Sequence, residues 1–281
     1  MVVPALVIFI AFAVIPLIGV LLLSFSTWDG LGSVHASGLT SWRKALSDPG
    51  LPQALWATFK IIALSWLVQT PMSILLGVFL AGQQRYRALM SIIFFIPVLI
   101  SSAAIAITAK ALLDPNFGIG PSLKFSWLTQ DWLGRPNLAL GVIIFAVSWQ
   151  FIPFHMLIYR GAVQQIPASM FEAAQLDGAG RIRTFFSIIL PQLKYTIITS
   201  STLMIVGSLT FFDLIWLLTA GGPADSTRVL AVDMYILGFR SNLMGPASAI
   251  AVILVVVGLV IAQLLQRIGG RDLTDSQIEG A

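Results

Sequence analysis

Four side chains interrupt otherwise apolar stretches with groups that can bind or move a polar solute: Lys110, Gln150, His155 and Asp213. A carboxylate inside a membrane span costs at least about 2.5 kcal/mol unless it meets water or a partner. Asp213 has Phe212 and Trp216 beside it, and Gln150 follows Trp149. Carboxylates and amides hydrogen-bond hydroxyls, and aromatic faces cover apolar surfaces of a solute. Trp149, Gln150, Phe212, Asp213 and Trp216 are therefore the candidate lining of a solute route. A plainer reading stands beside it, in which Phe212 and Trp216 pack an interface and Asp213 orders the following Gly221-Gly222-Pro223 turn. Lys110 lies near the end of its run and can snorkel. His155 has no second His, Cys or carboxylate in helical register with it, so no metal site is expected. The chain has no cysteine, which excludes disulfide and thiol chemistry. It also has no Gly-x-x-x-x-Gly-Lys-Ser/Thr loop to cradle nucleotide phosphates.

A second constellation is local. Residues 166–180 read Ile-Pro-Ala-Ser-Met-Phe-Glu-Ala-Ala-Gln-Leu-Asp-Gly-Ala-Gly, and Ile189-Leu190-Pro191 follows. Pro167 suits a first helical position, where a missing N–H is no loss, and Gly178 suits a C-terminus that needs positive φ. The spacing predicts a helix of roughly three turns over about 168–176. Met170, Phe171 and Leu176 give it apolar knobs, while Ala173 and Ala174 keep its backbone approachable. A short exposed helix of this kind is suited to plug into a partner protein.

The elements that position these residues are set by composition. Of 281 residues, 57% are apolar and 10% charged, against roughly 25% charged in a soluble domain. The apolar residues fall into six runs, at about 2–23, 55–81, 89–112, 138–159, 193–219 and 247–265. Each is about long enough to cross ~30 Å of hydrocarbon. The fold class expected is all-α integral membrane: one transmembrane domain over 1–281 with six transmembrane helices and a cytoplasmic segment at 160–192. The first run lacks a basic leader and a small-residue cleavage site, so it reads as a retained span. The loop Gln83-Gln84-Arg85-Tyr86-Arg87 has two Arg and no acid, which places it in the cytoplasm by the positive-inside rule. Arg160, Arg181, Arg183 and Lys194, and a tail with Arg267 and Arg271, then fall on the same side, with both termini cytoplasmic. The net charge of +4 is explained by these loops, and no basic stripe with interleaved aromatics points to nucleic acid.

The segment Glu172-Ala173-Ala174, Asp177-Gly178-Ala179, Phe185, Ile188 and Leu190-Pro191 resembles the cytoplasmic signature of the sugar-type permease subunits of binding-protein-dependent ABC importers. The resemblance extends through Phe95-Ile96-Pro97, Gln165-Ile166-Pro167 and Phe212-Asp213-Leu214 to Leu218-Thr219-Ala220-Gly221-Gly222-Pro223. It implies a coupling helix in which Met170, Phe171, Glu172, Ala173, Ala174, Leu176, Asp177 and Gly178 dock on a separate ATPase. Glu172 alone would be an ordinary solvated charge; its register in the motif argues otherwise. Tyr195 stands where a second Pro is common and is expected to straighten the start of the fifth span. Further implications are a related but different second permease, two ATPase subunits that bind ATP and Mg, and an extracytoplasmic solute-binding protein. This chain would itself bind no cofactor and catalyse no reaction, sitting in the inner or plasma membrane of a prokaryote among lipid. The solute implied is a saccharide, taken up by alternating access. Glycerol phosphate or another polar solute stays open, as does an ATP-independent secondary transporter. A neutral saccharide is favoured because the cations Lys60 and Lys110 within the runs lie near their ends.

Overall fold

The computed structural model describes residues 2–82 and 84–269. Gln83 and Arg271 lie outside them, and of Arg85 only the backbone is described. Helix α1 is one rod, Val2–Phe9 and Ile15–Leu23 joined by a π-helical turn at Ile10–Val14. A two-stranded hairpin, β1 (Ser26–Thr27) with β2 (His35–Ala36), leads to α2 (Thr40–Leu46) and α3 (Leu51–Leu80). Then come α4 (Arg85–Leu99), α5 (Ser102–Leu112), the short α6 (Ile119–Leu123) and α7 (Pro136–Gln164). The chain continues through α8 (Ala168–Leu176), α9 (Arg181–Gln192), α10 (Lys194–Ser208) and α11 (Asp213–Thr219). It ends with α12 (Leu230–Tyr235), extended by a π-helical turn at Ile236–Arg240, and α13 (Met244–Gly269).

Four of these, α1, α3, α7 and α13, are long and apolar enough to span a bilayer; the count reaches six if each of two bent pairs is one span. The third run is one such pair, with α4 and α5 meeting at 89°. The fifth run differs from its expected course in two ways. First, α9 and α10 meet at 67°, so Tyr195 does not straighten this entry; the turn lies just ahead of it, at Leu193. Second, the helix stops at Ser208 and α11 is a separate piece. At the stop the Ser208 hydroxyl donates back to the Met204 carbonyl (2.7 Å) and that of Thr210 to Gly207 (2.8 Å). Such back-bonds compete with the helical ladder.

The centre of the bundle is the pair α3 and α7, which run parallel. Ser73 donates to the Ile152 carbonyl at 3.2 Å beside Pro153, and Gln164 to that of Ala81 at 3.4 Å. Gly77 permits this approach, since a Cβ there would lie 2.8 Å from Tyr159 Cβ and 3.0 Å from the Met156 carbonyl oxygen. In lipid, where the hydrophobic effect does not press helices together, small residues and interhelical hydrogen bonds do this work. Helix α10 joins through Trp66 Nε1, which donates to Ser201 Oγ (2.8 Å), and through His155 Nδ1, 2.8 Å from Ser200 Oγ. Ile61, Ile105, Ile143, Val147, Ile215 and Leu218 meet in one buried apolar cluster. The rod α1 leaves its apolar side chains exposed, as a lipid-facing helix does.

Candidate functional site

At one end of the bundle stands α8. Pro167 is its N-cap, with φ −56° and ψ 135°, and so precedes the first helical position that the sequence suggests. Its carbonyl accepts the Met170 N–H at 3.1 Å. At the other end the Gly178 N–H donates to Gln175 (3.1 Å) and the Ala179 N–H to Ala174 (2.8 Å). This is a Schellman closure, and it needs the positive φ of +69° that Gly178 adopts. The helix has two faces at the spacing of one turn. Phe171 and Ala174 point inward, Phe171 packing on the cluster of Ile74, Tyr159, Val163, Ile189 and Leu193. Glu172, Ala173, Leu176, Asp177 and Gly178 are exposed, Leu176 to 89%. Of the three knobs read from the sequence, Phe171 thus anchors the helix to its own chain, Met170 is half-buried, and Leu176 is free. Between α8 and α9 lies a groove of about 370 Å³ lined by Met170, Ala173, Asp177, Arg183, Thr184 and Ile188.

In the interior, Gln150 and Trp149 are turned apart on α7: Gln150 is buried and Trp149 exposed. The Gln150 amide is committed to the break between α4 and α5, where Nε2 donates to the Ile100 carbonyl and Oε1 accepts from the Ser102 hydroxyl, both at 3.1 Å. Ile100 and Ser101 are extended there, and Ser101 Oγ caps α5 by accepting the Ala104 N–H at 3.2 Å. A residue chosen as a solute ligand is thus placed as a bracket for a broken helix.

The opposite end of the bundle carries the hairpin and the segment from α11 to α13. Asp213 is exposed on the first turn of α11, outside any long helix. As the first residue of that helix it stands where the helix dipole favours a negative charge. Phe212 and Trp216 stack, with centroids 6.0 Å apart and planes at 13°. Tyr235 joins both, at 4.9 and 4.8 Å, and Phe239 stacks on Tyr235 at 5.5 Å. The Arg240 guanidinium lies 5.2 Å from the Trp216 ring centre. Tyr235, Phe239 and Arg240 lie outside the residues expected from the sequence, although Tyr235 and Phe239 stand one helical turn apart.

Below this ladder, Asp233 is completely buried and receives Arg228 Nε at 2.8 Å and a second bond from Arg228 Nη2. Burial pushes its carboxyl above the usual range, and the hydrogen bonds and charge of Arg228 offset only part of that. Asp225 stands 3.7 Å from the same guanidinium, which also packs on Gly50 ahead of α3. Gln53 donates to the Ala224 carbonyl at 3.0 Å and the Leu230 N–H to Thr58 Oγ1 at 2.9 Å, so the loop is tied to the start of α3. No group of three or more His, Cys, Asp and Glu able to hold a metal occurs among the described residues.

Residues 70–274 match the family described as the inner membrane component of binding-protein-dependent transport systems. A probable ABC transporter permease of Pyrococcus horikoshii is 32% identical over 92% of this chain and 90% of its own length. The permease of a multiple sugar-binding transport system from Streptococcus mutans is 31% identical over 84% of this chain and 83% of its own. Among solved structures, a chain of a bacterial alginate ABC transporter, crystallised with an alginate pentasaccharide-bound periplasmic protein, superposes with a TM-score of 0.83. It is 25% identical and covers 96% of this chain and 93% of its own.

Proposed function

Because the chain belongs to the inner membrane component family of binding-protein-dependent transport systems, we propose that it is the membrane-spanning subunit of an ATP-driven importer of carbohydrate. It is a multi-pass membrane protein whose role is transport rather than catalysis. The sugar transport named for the streptococcal relative and the alginate of the structural neighbour support the solute class. On this reading a second permease, two ATPase subunits holding ATP and Mg, and an extracytoplasmic binding protein complete the machine. The α8 end faces the cytoplasm, a placement favoured by Arg87, Arg160, Arg181, Arg183 and Lys194 near it.

The observation that carries the proposal is α8 itself. A short helix held from behind by Phe171 and Ala174, and closed by Gly178, presents Glu172, Ala173, Leu176 and Asp177 outward. A rigid helix gripped by an ATPase passes the ATPase's movement to α7 and α9, on either side of it in the chain. Discrete repacking of that sort is how a local change becomes alternating access. The broken helices α4–α5 and α9–α10 are the elements suited to bend.

The test is co-purification of the tagged chain with its ATPase and assay of ATP hydrolysis, using Glu172→Lys and Gly178→Asp variants. Expected is loss of the ATPase from both variants while the permease stays monodisperse. Equal retention of the ATPase by wild type and variants would remove the coupling role from α8 and favour an ATP-independent transporter.

A further inference from the structure

We propose that the ladder Phe212, Trp216, Tyr235 and Phe239 with Arg240 is a subsite for an acidic saccharide, a sugar ring that carries a carboxylate; this rests on the carbohydrate-importer reading above. Three observations converge on it. Four rings from two helices lie in continuous contact, each within 6.0 Å of a neighbour, and the last, Phe239, is 66% exposed. Phe239 thus offers a free aromatic face of the kind that accepts the apolar face of a pyranose, and Phe212, Trp216 and Tyr235 are half-buried beside it. At the same place Arg240 is exposed and lies against Trp216, and it forms no ion pair among the described residues. A guanidinium laid on an indole keeps its fork of donors free and oriented, and the partner that matches this fork is a planar carboxylate. Asp213, exposed beside Phe212, adds an acceptor for sugar hydroxyls.

The combination selects among the solute classes. A neutral sugar would use the rings and the acceptor and leave the cation unmatched. A small phosphate ester would use the cation and leave most of the ladder idle. A uronic acid engages all three, with its ring face on the aromatics, its carboxylate on Arg240 and its hydroxyls toward Asp213. The neutral saccharide favoured by the placement of Lys60 and Lys110 is therefore replaced, because folding brings Arg240 from beyond the fifth run onto the face of Trp216. The ladder lies at the hairpin end of the molecule, opposite α8, and on the proposed orientation it meets the solute before the interior does.

The experiment uses the complete transporter in proteoliposomes with its binding protein. ATP-dependent uptake of a radiolabelled hexuronate trisaccharide is compared with that of the same trisaccharide after carboxyl reduction, for wild type, Arg240→Gln, Arg240→Lys and Trp216→Leu. Expected is wild-type uptake of the hexuronate and a fall of about tenfold in the hexuronate-to-neutral ratio for Arg240→Gln, equivalent to roughly 1.4 kcal/mol. Arg240→Lys should keep part of the ratio, since it retains the charge without the fork. If wild type carries the neutral trisaccharide but not the hexuronate, or if Arg240→Gln leaves the ratio unchanged, the subsite is overturned while the importer reading stands. If both uptakes fall equally together with binding-protein-stimulated ATP hydrolysis, Arg240 docks the binding protein and the subsite is likewise overturned. Absence of ATP-dependent uptake of either sugar would remove the importer reading and the subsite with it.

Discussion

Replacing Gln150 by Leu separates two roles for this residue, bracket of the broken helix or ligand of the solute. The side chain makes two hydrogen bonds of 3.1 Å, one to each side of the break between α4 and α5. Leu is close in size, so little cavity forms, but the Ile100 carbonyl and the Ser102 hydroxyl lose their partners. Interhelical hydrogen bonds within membrane bundles average about 0.6 kcal/mol and reach about 1.7, and a buried group left without a partner costs about 1–3 kcal/mol. Together these predict a loss of roughly 1–3 kcal/mol. Gln150→Glu should be at least as damaging, because an ionised carboxylate would face the Ile100 carbonyl oxygen. The assay is reversible SDS unfolding of the purified chain followed by circular dichroism, run as a double-mutant cycle with Ser102→Ala. A coupling of about 0.5–2 kcal/mol between the two positions is expected. Wild-type stability for Gln150→Leu, with strictly additive effects in the cycle, would refute the bracket and return Gln150 to the solute route.

Two further outcomes follow from packing and from charge burial. At Gly77 an added methyl meets Tyr159 Cβ at 2.8 Å and the Met156 carbonyl oxygen at 3.0 Å; Gly77→Ala should lose about 1–3 kcal/mol and Gly77→Val should fail to accumulate as monodisperse protein. Arg228→Met leaves the buried Asp233 unpaired, a loss of about 3–5 kcal/mol, whereas Arg228→Met with Asp233→Leu should recover most of it. Thermal unfolding in detergent ranks the single and double variants, and a double variant no more stable than the single would show that the charge pair is not what holds this loop.

Much of the molecule is legible along the chain because membrane helices declare themselves by apolar runs about as long as a bilayer needs. The bounds of α8 were equally local: Pro167 admits the start, Gly178 supplies the one positive φ that closes the end, and neither requires knowledge of the rest of the chain. Breaks inside apolar runs were not legible. Hydropathy averages over both sides of a bend, so the 89° turn at Ile100 and Ser101 is invisible until Gln150, far along the sequence, is seen to take up the groups the bend sets free.

The residues proposed for the solute route divided in the same way. Phe212 and Trp216 are neighbours by one helical turn, and the structure stacks them. Trp149 and Gln150 are neighbours in sequence and are turned apart by that same helical geometry. Sequence alone thus determined that this is a helical membrane protein, that a capped helix interrupts it at 168–176, and which family its motifs resemble. Tertiary structure alone decided that Phe171 anchors that helix, that Gln150 brackets a break, that Arg228 neutralises a buried Asp233, and that Arg240 lies on Trp216. The physical reason is range: periodicity and caps act within a few residues, whereas buried polar groups and ring clusters take their partners from helices that only folding brings together.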